Sequence, residues 1–301
     1  AASDVYKRQK SLGGTCLNEG CIPTKSFCKN AEVLDGLRNA ESFGITGLDF
    51  RFDFSSVTAR KNAVVEQLRG GVEGLLGHKN ITLVRGKASF KDQHTVVCDG
   101  VEHTAEHIII ATGSVSASLP IPGADLPGIL TSKEILDIEE VPQRLCVIGG
   151  GVIGLEFASI FRSFASEVTV LEYCKDILPR FDTDLAKRLK QSLGKRGIEI
   201  NTQAQVTSIT ENSGEYKVTF ARKGKEEAVV ADKVLMAVGR KANVASLNLA
   251  DVGIEFTPRG ILVNDVMQTN VPHIYAVGDI NGDGKINIAD VIRLLRIIVS
   301  R

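Results

Sequence analysis

Cys16 and Cys21, five positions apart, have the residue type and spacing that could support redox chemistry. On a regular helix their Cα atoms would be about 8.5 Å apart, whereas a disulfide requires roughly 4.4–6.8 Å. If the two thiols pair, the backbone between them must be tightened, and Gly20 permits such a conformation. Pro23 suits the first turn of the helix that follows. The spacing alone leaves open a redox-active disulfide, a structural disulfide or two free thiols.

A second pattern, GGGVIG from Gly149 to Gly154, has the GxGxxG spacing of a dinucleotide-binding loop. An apolar strand pattern precedes it at 145–148, and helical spacing follows at 155–164. The glycines would allow a tight turn and the approach of a pyrophosphate to the helix start. Glu172 ends the next strand, where its carboxylate could accept hydrogen bonds from a ribose 2′-hydroxyl and would repel a 2′-phosphate. The pattern therefore favours NAD over NADP; its alternative is a glycine turn without a ligand.

The composition is that of a globular protein, with 43% hydrophobic and 24% charged residues. Lys plus Arg and Asp plus Glu each total 36, and the resulting zero net charge argues against nucleic acid or an anionic membrane as partner. No apolar run approaches the roughly 20 residues of a transmembrane helix, and no secretory signal is visible. The scattered cysteines are expected to be buried free thiols: Cys28, Cys98, Cys146 and Cys174. One close cysteine pair in an otherwise reduced chain predicts a cytoplasmic redox protein.

The segment from Gly13 to Lys25, GGTCLNEGCIPTK, resembles the redox-active disulfide of the pyridine nucleotide–disulfide oxidoreductases. The resemblance implies that Cys16 attacks substrate, that Cys21 contacts the flavin and that Lys25 tunes the flavin ring electrostatically. The letters CLNxGCIP favour the dihydrolipoamide dehydrogenase branch over glutathione or mercuric reductases. The implied reaction is the oxidation of dihydrolipoamide to lipoamide, with electrons passing through the disulfide and FAD to NAD.

The resemblance extends over about 11–279 and implies two sets of cofactor-binding residues. The residues implied for FAD are Gly13, Gly14, Thr15, Lys25, Gly86, Ala88, Thr112, Gly113, Ser114 and Asp279. The residues implied for NAD are Gly149, Gly150, Gly151, Val152, Ile153, Gly154, Glu156, Glu172, Val206 and Gly239. The implied substrate is a small dithiol or a lipoyl domain, and the implied assembly is a homodimer.

The expected fold class is α/β, with two Rossmann-type dinucleotide-binding domains and the NAD domain inserted into an incomplete FAD domain. The expected ranges are 10–140 for the first part of the FAD domain, 141–244 for the NAD domain and 245–278 for the return segment. Residues 1–9 are expected to be an artefactual leader, because residues 4–9 (DVYKRQ) match the translation of a transposon end used in sequencing libraries.

The resemblance also implies two features that this sequence does not display. One is an N-terminal strand–GxGxxG–helix unit for the FAD pyrophosphate, and the other is a His–Glu pair that serves as acid and base. The histidines match no such pair: His78, His94, His103, His107 and His273. The chain as given is therefore expected to be an inactive fragment. The alternatives are another reductase of the family, of the mercuric or glutathione type, and a non-catalytic NAD-binding or dockerin fusion.

The last segment, residues 279–301, changes character and resembles one repeat of a dockerin. Its acidic and amide residues and Gly284 match positions of a calcium loop that a helix follows. The expected calcium ligands are Asp279, Asn281, Asp283, Lys285, Asn287 and Asp290. Asp279 is thus expected both as a FAD-binding residue and as a calcium ligand. The alternative is an ordinary helix of the FAD domain preceded by a polar loop.

Overall fold

The computed structural model describes residues 3–7 and 11–278. The predicted calcium loop and its helix at 279–301, together with the FAD contact predicted at Asp279, lie outside the described residues. Within the described ranges, none of the helices is both long enough and apolar enough to cross a membrane.

Helices and strands alternate in the described chain only from Glu134 to Thr202, and runs of consecutive strands lie on either side. The helices are α1 (Gly14–Glu19), α2 (Cys21–Arg38), α3 (Phe54–Leu76), α4 (Val152–Ser163) and α5 (Thr183–Lys195), with short 3-10 helices at Ala40–Phe43 and Glu134–Asp137. The strands are β1 (Ser3–Lys7), β2 (Ile81–Arg85), β3 (Ala88–Phe90), β4 (Thr95–Cys98), β5 (Val101–Thr104), β6 (Ile108–Ile110), β7 (Ser114–Ser116), β8 (Ile129–Leu130), β9 (Arg144–Ile148), β10 (Glu167–Glu172), β11 (Ile198–Thr202), β12 (Gln205–Asn212), β13 (Glu215–Arg222), β14 (Lys225–Ala231), β15 (Lys233–Met236), β16 (Arg240–Ala242), β17 (Phe256–Thr257), β18 (Gly260–Ile261) and β19 (Ile274–Ala276).

The chain forms two compact units. The first consists of the described residues within Ala1–Thr15, Arg69–Val115 and Arg240–Arg301, and the second of Cys16–Leu68 and Ser116–Gly239. Residues 16–68, expected in the FAD domain, thus share a unit with most of the range expected to bind NAD. Compactness does not identify a bound dinucleotide, so the assignment of cofactors to sequence ranges stays a prediction.

A five-stranded sheet lies at the centre of the second unit, with strand order β11-β10-β9-β15-β8 and parallel pairing throughout. The central strand β9 is buried on both faces, as its continuous apolar sequence requires. Leu145 and Val147 pack in one core cluster with α2 and α4 residues, whereas Cys146 and Ile148 pack in a second. The second cluster includes side chains of the antiparallel β12-β13-β14 sheet. The carboxyl ends of β9 and β10 are thereby fixed between two cores.

Polar contacts join α2 and α4 at two levels along their length. Near the start of both helices, Lys25 forms an ion pair with Glu156. Toward their ends, the hydroxyl of Ser163 donates to the Asp35 carboxylate over 2.8 Å, and the Arg38 guanidinium donates to the Ser163 carbonyl. Because both contacts advance along both helices together, α2 and α4 run in the same direction.

The first unit has its own small core, which includes Ile110, Ile261 and Ile274. The core packs around the parallel pair β6–β19 and the antiparallel sheet β3-β4-β5. Strand β1 pairs in parallel with β2, from Ser3 opposite Ile81 to Lys7 opposite Arg85. The strand does not test the origin of residues 1–9, so the expectation that they are an artefactual leader stays a prediction.

Candidate redox and dinucleotide sites

Cys16 and Cys21 form a disulfide, and their Cα atoms are 4.7 Å apart. Helix α1 ends at Glu19 and α2 begins at Cys21. Gly20 between them has φ −143° and ψ −113°, outside the helical region. This break removes the separation of about 8.5 Å that a continuous helix would impose. The predicted disulfide reach and backbone break are therefore confirmed.

The disulfide lies at the surface, since both cysteines are exposed. The start of α2 behind it is held firmly. The Thr24 hydroxyl donates to the Gly20 carbonyl over 2.6 Å, and Pro23 is buried in the first turn, where its missing N–H is tolerated. The sulfur atoms are thus accessible on a rigid base.

Lys25 and Cys28 both contact one carboxylate, that of Glu156 on α4. The Lys25 ammonium forms an ion pair with Glu156 Oε1, and the Cys28 thiol lies 3.5 Å from the same oxygen. Burial, followed by the Glu156 charge, raises the pKa of Cys28 to about 11. Cys28 therefore remains a protonated thiol at neutral pH, and its half-buried position departs from the full burial expected for it.

Close packing fixes the loop from Gly149 to Gly154. Gly149 has φ +111°, and a Cβ there would overlap the Ala237 carbonyl. A Cβ on Gly154 would overlap the Gly149 carbonyl and lie 3.1 Å from the Val147 side chain. Both positions thus require glycine for steric reasons.

The end of the loop nearest α4 is open. Gly151 is the N-cap of α4 and makes no side-chain cap, and a Cβ there would meet nothing within 4 Å. Val152, the first helical residue, is 55% exposed, and Ile153 packs against the core. Helix starts with accessible N–H groups are suited to bind anions.

Glu172 ends β10, as the sequence predicted, but its carboxylate is 7% exposed and already bonded. One oxygen accepts from the Gly150 N–H over 2.5 Å and the other from the Cys174 N–H over 2.6 Å. Glu172 therefore ties the glycine loop to the segment after β10. Burial first, then the bond to Glu172, raises the pKa of the Cys174 thiol.

An open cavity of about 490 Å³ lies directly after Glu172 in the same unit. Its lining is mostly polar and combines an aromatic ring, a thiol, amides and two ammonium groups. The lining residues are Tyr173, Cys174, Lys175, Gln203, Gln205, Ala221, Lys223 and Gly224.

The remaining residues predicted for NAD lie in different settings within the second unit. Val206 is buried in the core beneath the β12-β13-β14 sheet. Gly239 has φ +113° with open space around it, and its carbonyl accepts from the Ala117 N–H over 2.9 Å.

The predicted FAD residues of the first unit serve partly as packing elements. A Cβ on Gly86 would lie 2.5 Å from the sulfur of the buried Cys98, so packing favours glycine there. Ala88 begins β3 and pairs with Cys98, and Ser114 accepts from Arg240 Nε over 2.7 Å.

The other glycines and threonines of the predicted FAD set have less packing to explain them. Gly13, Gly14 and Gly113 all have positive φ, at +106°, +69° and +64°, and Thr15 lies on α1. Among the described residues, the buried Thr112 hydroxyl oxygen has no hydrogen-bond partner. An orphaned buried hydroxyl is a group that a ligand could satisfy.

Sequence reasoning missed several charged residues that support the redox site. Lys61 is buried on α3 and donates to the Leu136 carbonyl over 2.8 Å, and Lys133 forms an ion pair with Glu19 over 2.7 Å. Lys61 could have been found, because it falls on the helical apolar stripe with Val57 and Val65. No local pattern marks Lys133, whose partner lies more than a hundred residues away.

Comparison with known proteins identifies the chain's relatives. The sequence model of the pyridine nucleotide-disulphide oxidoreductases matches residues 5–293. This range includes most of the predicted leader and part of the predicted dockerin-like repeat, whose assignments stay predictions. The dihydrolipoyl dehydrogenase of Acholeplasma laidlawii is 40% identical over 276 residues, covering 90% of this chain and 80% of that protein.

Two further relatives agree in kind. A dihydrolipoyl dehydrogenase of Bacillus subtilis is 40% identical over 278 residues, and the match spans 90% of this chain but 60% of that enzyme. Among solved structures, the Cu(II) complex of the HOCl-induced flavoprotein disulfide reductase RclA from Escherichia coli superposes with a TM-score of 0.86 at 30% identity. That match covers 99% of this chain and 66% of the other.

Proposed function

Because the chain belongs to the pyridine nucleotide-disulphide oxidoreductase family, we propose that its disulfide oxidises dihydrolipoamide to lipoamide, with NAD as the final electron acceptor. The observation that carries the proposal is the exposed Cys16–Cys21 disulfide at the start of α2. The lipoamide substrate is supported by relatives that are dihydrolipoyl dehydrogenases at 40% identity. A mercuric or glutathione-type reductase of the same family is the nearer rival.

The sulfur chemistry lies with the two cysteines of this chain. A substrate thiolate attacks Cys16, the Cys16–Cys21 bond breaks and Cys21 leaves as a thiolate. The second substrate thiol then attacks the mixed disulfide, so that lipoamide closes its ring and Cys16 is released. The substrate loses two electrons and two protons, and the protein disulfide becomes a dithiol. Cys21 is the first residue of α2, where the partial positive charge of a helix start stabilises a thiolate.

FAD and NAD, when bound, would supply the chemistry that accepts the two electrons of the dithiol. On the flavin side, we assign Lys25 an electrostatic role, with its ammonium held by Glu156. Within the part of the chain that the structure describes, the buried Thr112 hydroxyl lacks a hydrogen-bond partner, and Gly113 beside it is open with positive φ; both support a ligand near the end of β6. Gly86 gives less support, because packing against the buried Cys98 sulfur already explains it.

The NAD assignment is supported by the glycine loop, the open start of α4 and Glu172. The cavity after Glu172, at about 490 Å³, has the size of a small-molecule site. Lys175 and Lys223 line it and would attract a 2′-phosphate, whereas Glu172 would repel one. The buried carboxylate lies at the loop itself, so we assign the preference to NAD.

Exchange with dihydrolipoamide tests the sulfur chemistry directly. The purified full chain is mixed with dihydrolipoamide, the free thiols are alkylated, and the modified cysteines are located by mass spectrometry. We expect both Cys16 and Cys21 to be alkylated, with one lipoamide formed per disulfide opened. Cys16→Ser should abolish the exchange and Cys174→Ser should leave it unchanged. A disulfide that resists the dithiol would be structural and would end the proposal.

Titration of the full chain with NADH and NADPH, followed by nucleotide fluorescence, tests the cofactor assignment. We expect NADH to bind more tightly, and Glu172→Ala to reduce the preference. Because that change removes the acceptors of the buried Gly150 N–H and the partly buried Cys174 N–H, it should also cost stability. Glu172→Gln, which keeps one acceptor oxygen, is the matched variant, and urea unfolding of both separates the two effects. Equal affinity of the wild type for both nucleotides would contradict the assignment.

Further parts of the proposal rest on sequence and family alone. They are a homodimeric assembly, a cytoplasmic setting that keeps the four other cysteines reduced, and the calcium loop at 279–301. The expected inactivity of the chain as given also stays a prediction. A non-catalytic dockerin fusion would be favoured instead by calcium-dependent binding of a cohesin to the full chain.

A further inference from the structure

Glu19 is the one charged side chain between the two cysteines. It lies on α1 three residues after Cys16, and residues at this spacing share a helix face with Cβ atoms about 5–6 Å apart. Cys21 follows two residues later. A carboxylate this close to reduced sulfurs would disfavour their thiolate forms. An unpaired Glu19 would therefore oppose the opening of the disulfide.

Glu19 is not unpaired, because Lys133 reaches it from another part of the second unit. The Lys133 Nζ lies 2.7 Å from Glu19 Oε1, and the side chains are 51% and 34% exposed. The hydrogen bond to Glu19 raises the pKa of Lys133. The ammonium is therefore charged at any pH near neutrality and compensates the carboxylate beside the sulfurs.

The backbone of Lys133 is fixed on its N-terminal side by a local turn. Thr131 donates its N–H to Glu134 Oε2 over 2.9 Å, and Lys133 donates its own N–H to the Thr131 hydroxyl over 3.2 Å. Glu134, which is also negative near the ammonium, is thereby occupied with Thr131. Glu19 remains as the carboxylate that Lys133 binds.

On the other side, the turn is anchored in the interior. Ile135 and Leu136 are 0% and 2% exposed. The buried Lys61 donates to the Leu136 carbonyl over 2.8 Å and to Asp137 Oδ1 over 2.7 Å. Asp137, the other acidic neighbour of Lys133, is therefore paired with Lys61. Lys133 thus reaches Glu19 from a rigid base.

We propose that Lys133 is a positioning residue for the Cys16–Cys21 redox centre. It acts through Glu19, whose side chain it holds and whose charge it cancels beside the two sulfurs. The inference rests on the proposed function, because it matters only if the disulfide opens and closes.

The test measures the redox equilibrium of the full chain in dithiothreitol buffers. Dithiothreitol closes to its cyclic disulfide as Cys16–Cys21 takes up two electrons and two protons. Alkylation and mass spectrometry give the reduced fraction. Lys133→Met leaves Glu19 unpaired and should lower the equilibrium constant for reduction about two- to fivefold, the range of an exposed ion pair. Glu19→Gln leaves Lys133 unpaired and should raise the constant by a similar factor.

The opposite changes in the equilibrium constant identify an electrostatic effect, since a merely structural loss would shift the constant of both single variants in the same direction. The double variant Lys133→Met/Glu19→Gln should return close to the wild type, and Lys133→Arg should preserve it. The pH of half-maximal alkylation of the reduced thiols should rise in Lys133→Met and fall in Glu19→Gln. Lys29→Met removes the same charge by breaking the Lys29–Glu32 pair on α2 and should shift neither quantity.

Single variants that coincide with the wild type, or that shift in the same direction, would overturn the inference. So would a Lys29→Met shift as large as that of Lys133→Met, because the effect would then be one of net charge. If the wild-type disulfide exchanges with dihydrolipoamide but the variants have the same equilibrium constant as the wild type, only this inference is overturned. A wild type that does not exchange with dihydrolipoamide or dithiothreitol overturns the proposed function as well.

Discussion

The glycine loop before α4 and the redox turn before α2 are both short breaks that lead into a helix, but they are held in different ways. Gly149 and Gly154 are pressed against backbone carbonyls, so packing dictates the shape of the loop. The redox turn is Gly20, between α1 and α2, and the cysteines on either side of it are exposed. A disulfide and surface ion pairs hold this turn. A region held by packing has one shape, whereas a region held by a disulfide can change its chemistry without repacking a core.

Replacing glycines of the loop should have the largest effect and is the most direct way to break the comparison. Gly154→Ala would drive a Cβ into the Gly149 carbonyl, and we expect a loss of about 3 kcal/mol in unfolding free energy, with loss of NADH binding. Gly151→Ala meets open space and should cost less than about 1 kcal/mol. Urea unfolding measures both, and equal losses would show that packing does not define the loop.

Reducing the disulfide should have an intermediate effect. Opening a loop this short removes a constraint on the unfolded chain worth about 2 kcal/mol. We therefore expect urea unfolding at neutral pH to shift to lower urea when a phosphine reductant is added. The variant Cys16→Ser/Cys21→Ser should be insensitive to the reductant. A shift that persists in this variant would have to arise elsewhere in the chain.

The Cys28 thiol should have the smallest effect, and it appears only at alkaline pH. Its pKa is about 11 in the folded chain, above the ordinary thiol value of 9.0. The stability it contributes is therefore intact below about pH 9 and is lost as the pH rises toward 11. Because the thiol is only partly buried, we expect about 1 kcal/mol rather than the full linkage value.

Cys146 also has a raised pKa, so its ionisation also lowers the unfolding free energy at alkaline pH. Comparison with Cys28→Ala isolates the contribution of the Cys28 thiol. The difference in unfolding free energy between the wild type and Cys28→Ala should narrow from pH 9 to pH 11. In a Glu156→Gln background the narrowing should be smaller and should end at lower pH, because the Glu156 charge helps to raise the pKa of Cys28 in the folded chain. A difference independent of pH would argue against the contact between Cys28 and Glu156.

Local patterns predicted a good part of this molecule. The strand before Gly149, the helix after Gly154, the position of Glu172 and the break at Gly20 all depend on neighbouring residues. Each is encoded by apolar periodicity, by glycine or by the incompatibility of a disulfide with a regular helix. Such features can be derived from the sequence because their causes lie within a few positions.

Contacts between distant segments could not be predicted. Lys133 and Glu19 are ordinary surface letters until the fold brings them together. Glu172 was expected to face a ribose, but its two oxygens also bind backbone N–H groups, a role that its sequence position does not reveal. The continuous apolar sequence of β6 is typical of a strand buried on both faces, yet Ile109 is 42% exposed. Burial depends on what covers a strand, and the strand does not encode that.

The contacts between the parallel helices α2 and α4 fix the positions of the two helix starts relative to each other. Glu156 lies four residues after the start of α4, and its partner Cys28 lies seven residues after the start of α2. The difference is three residues. At about 1.5 Å per residue, the start of α2, which carries the disulfide, lies about 4.5 Å beyond the start of α4 along the direction of the helices. The starts of the two helices are thus offset, and the first turn of α2 projects beyond the open start of α4. Sliding α2 by one residue along α4 would change this offset by about 1.5 Å, a third of its value.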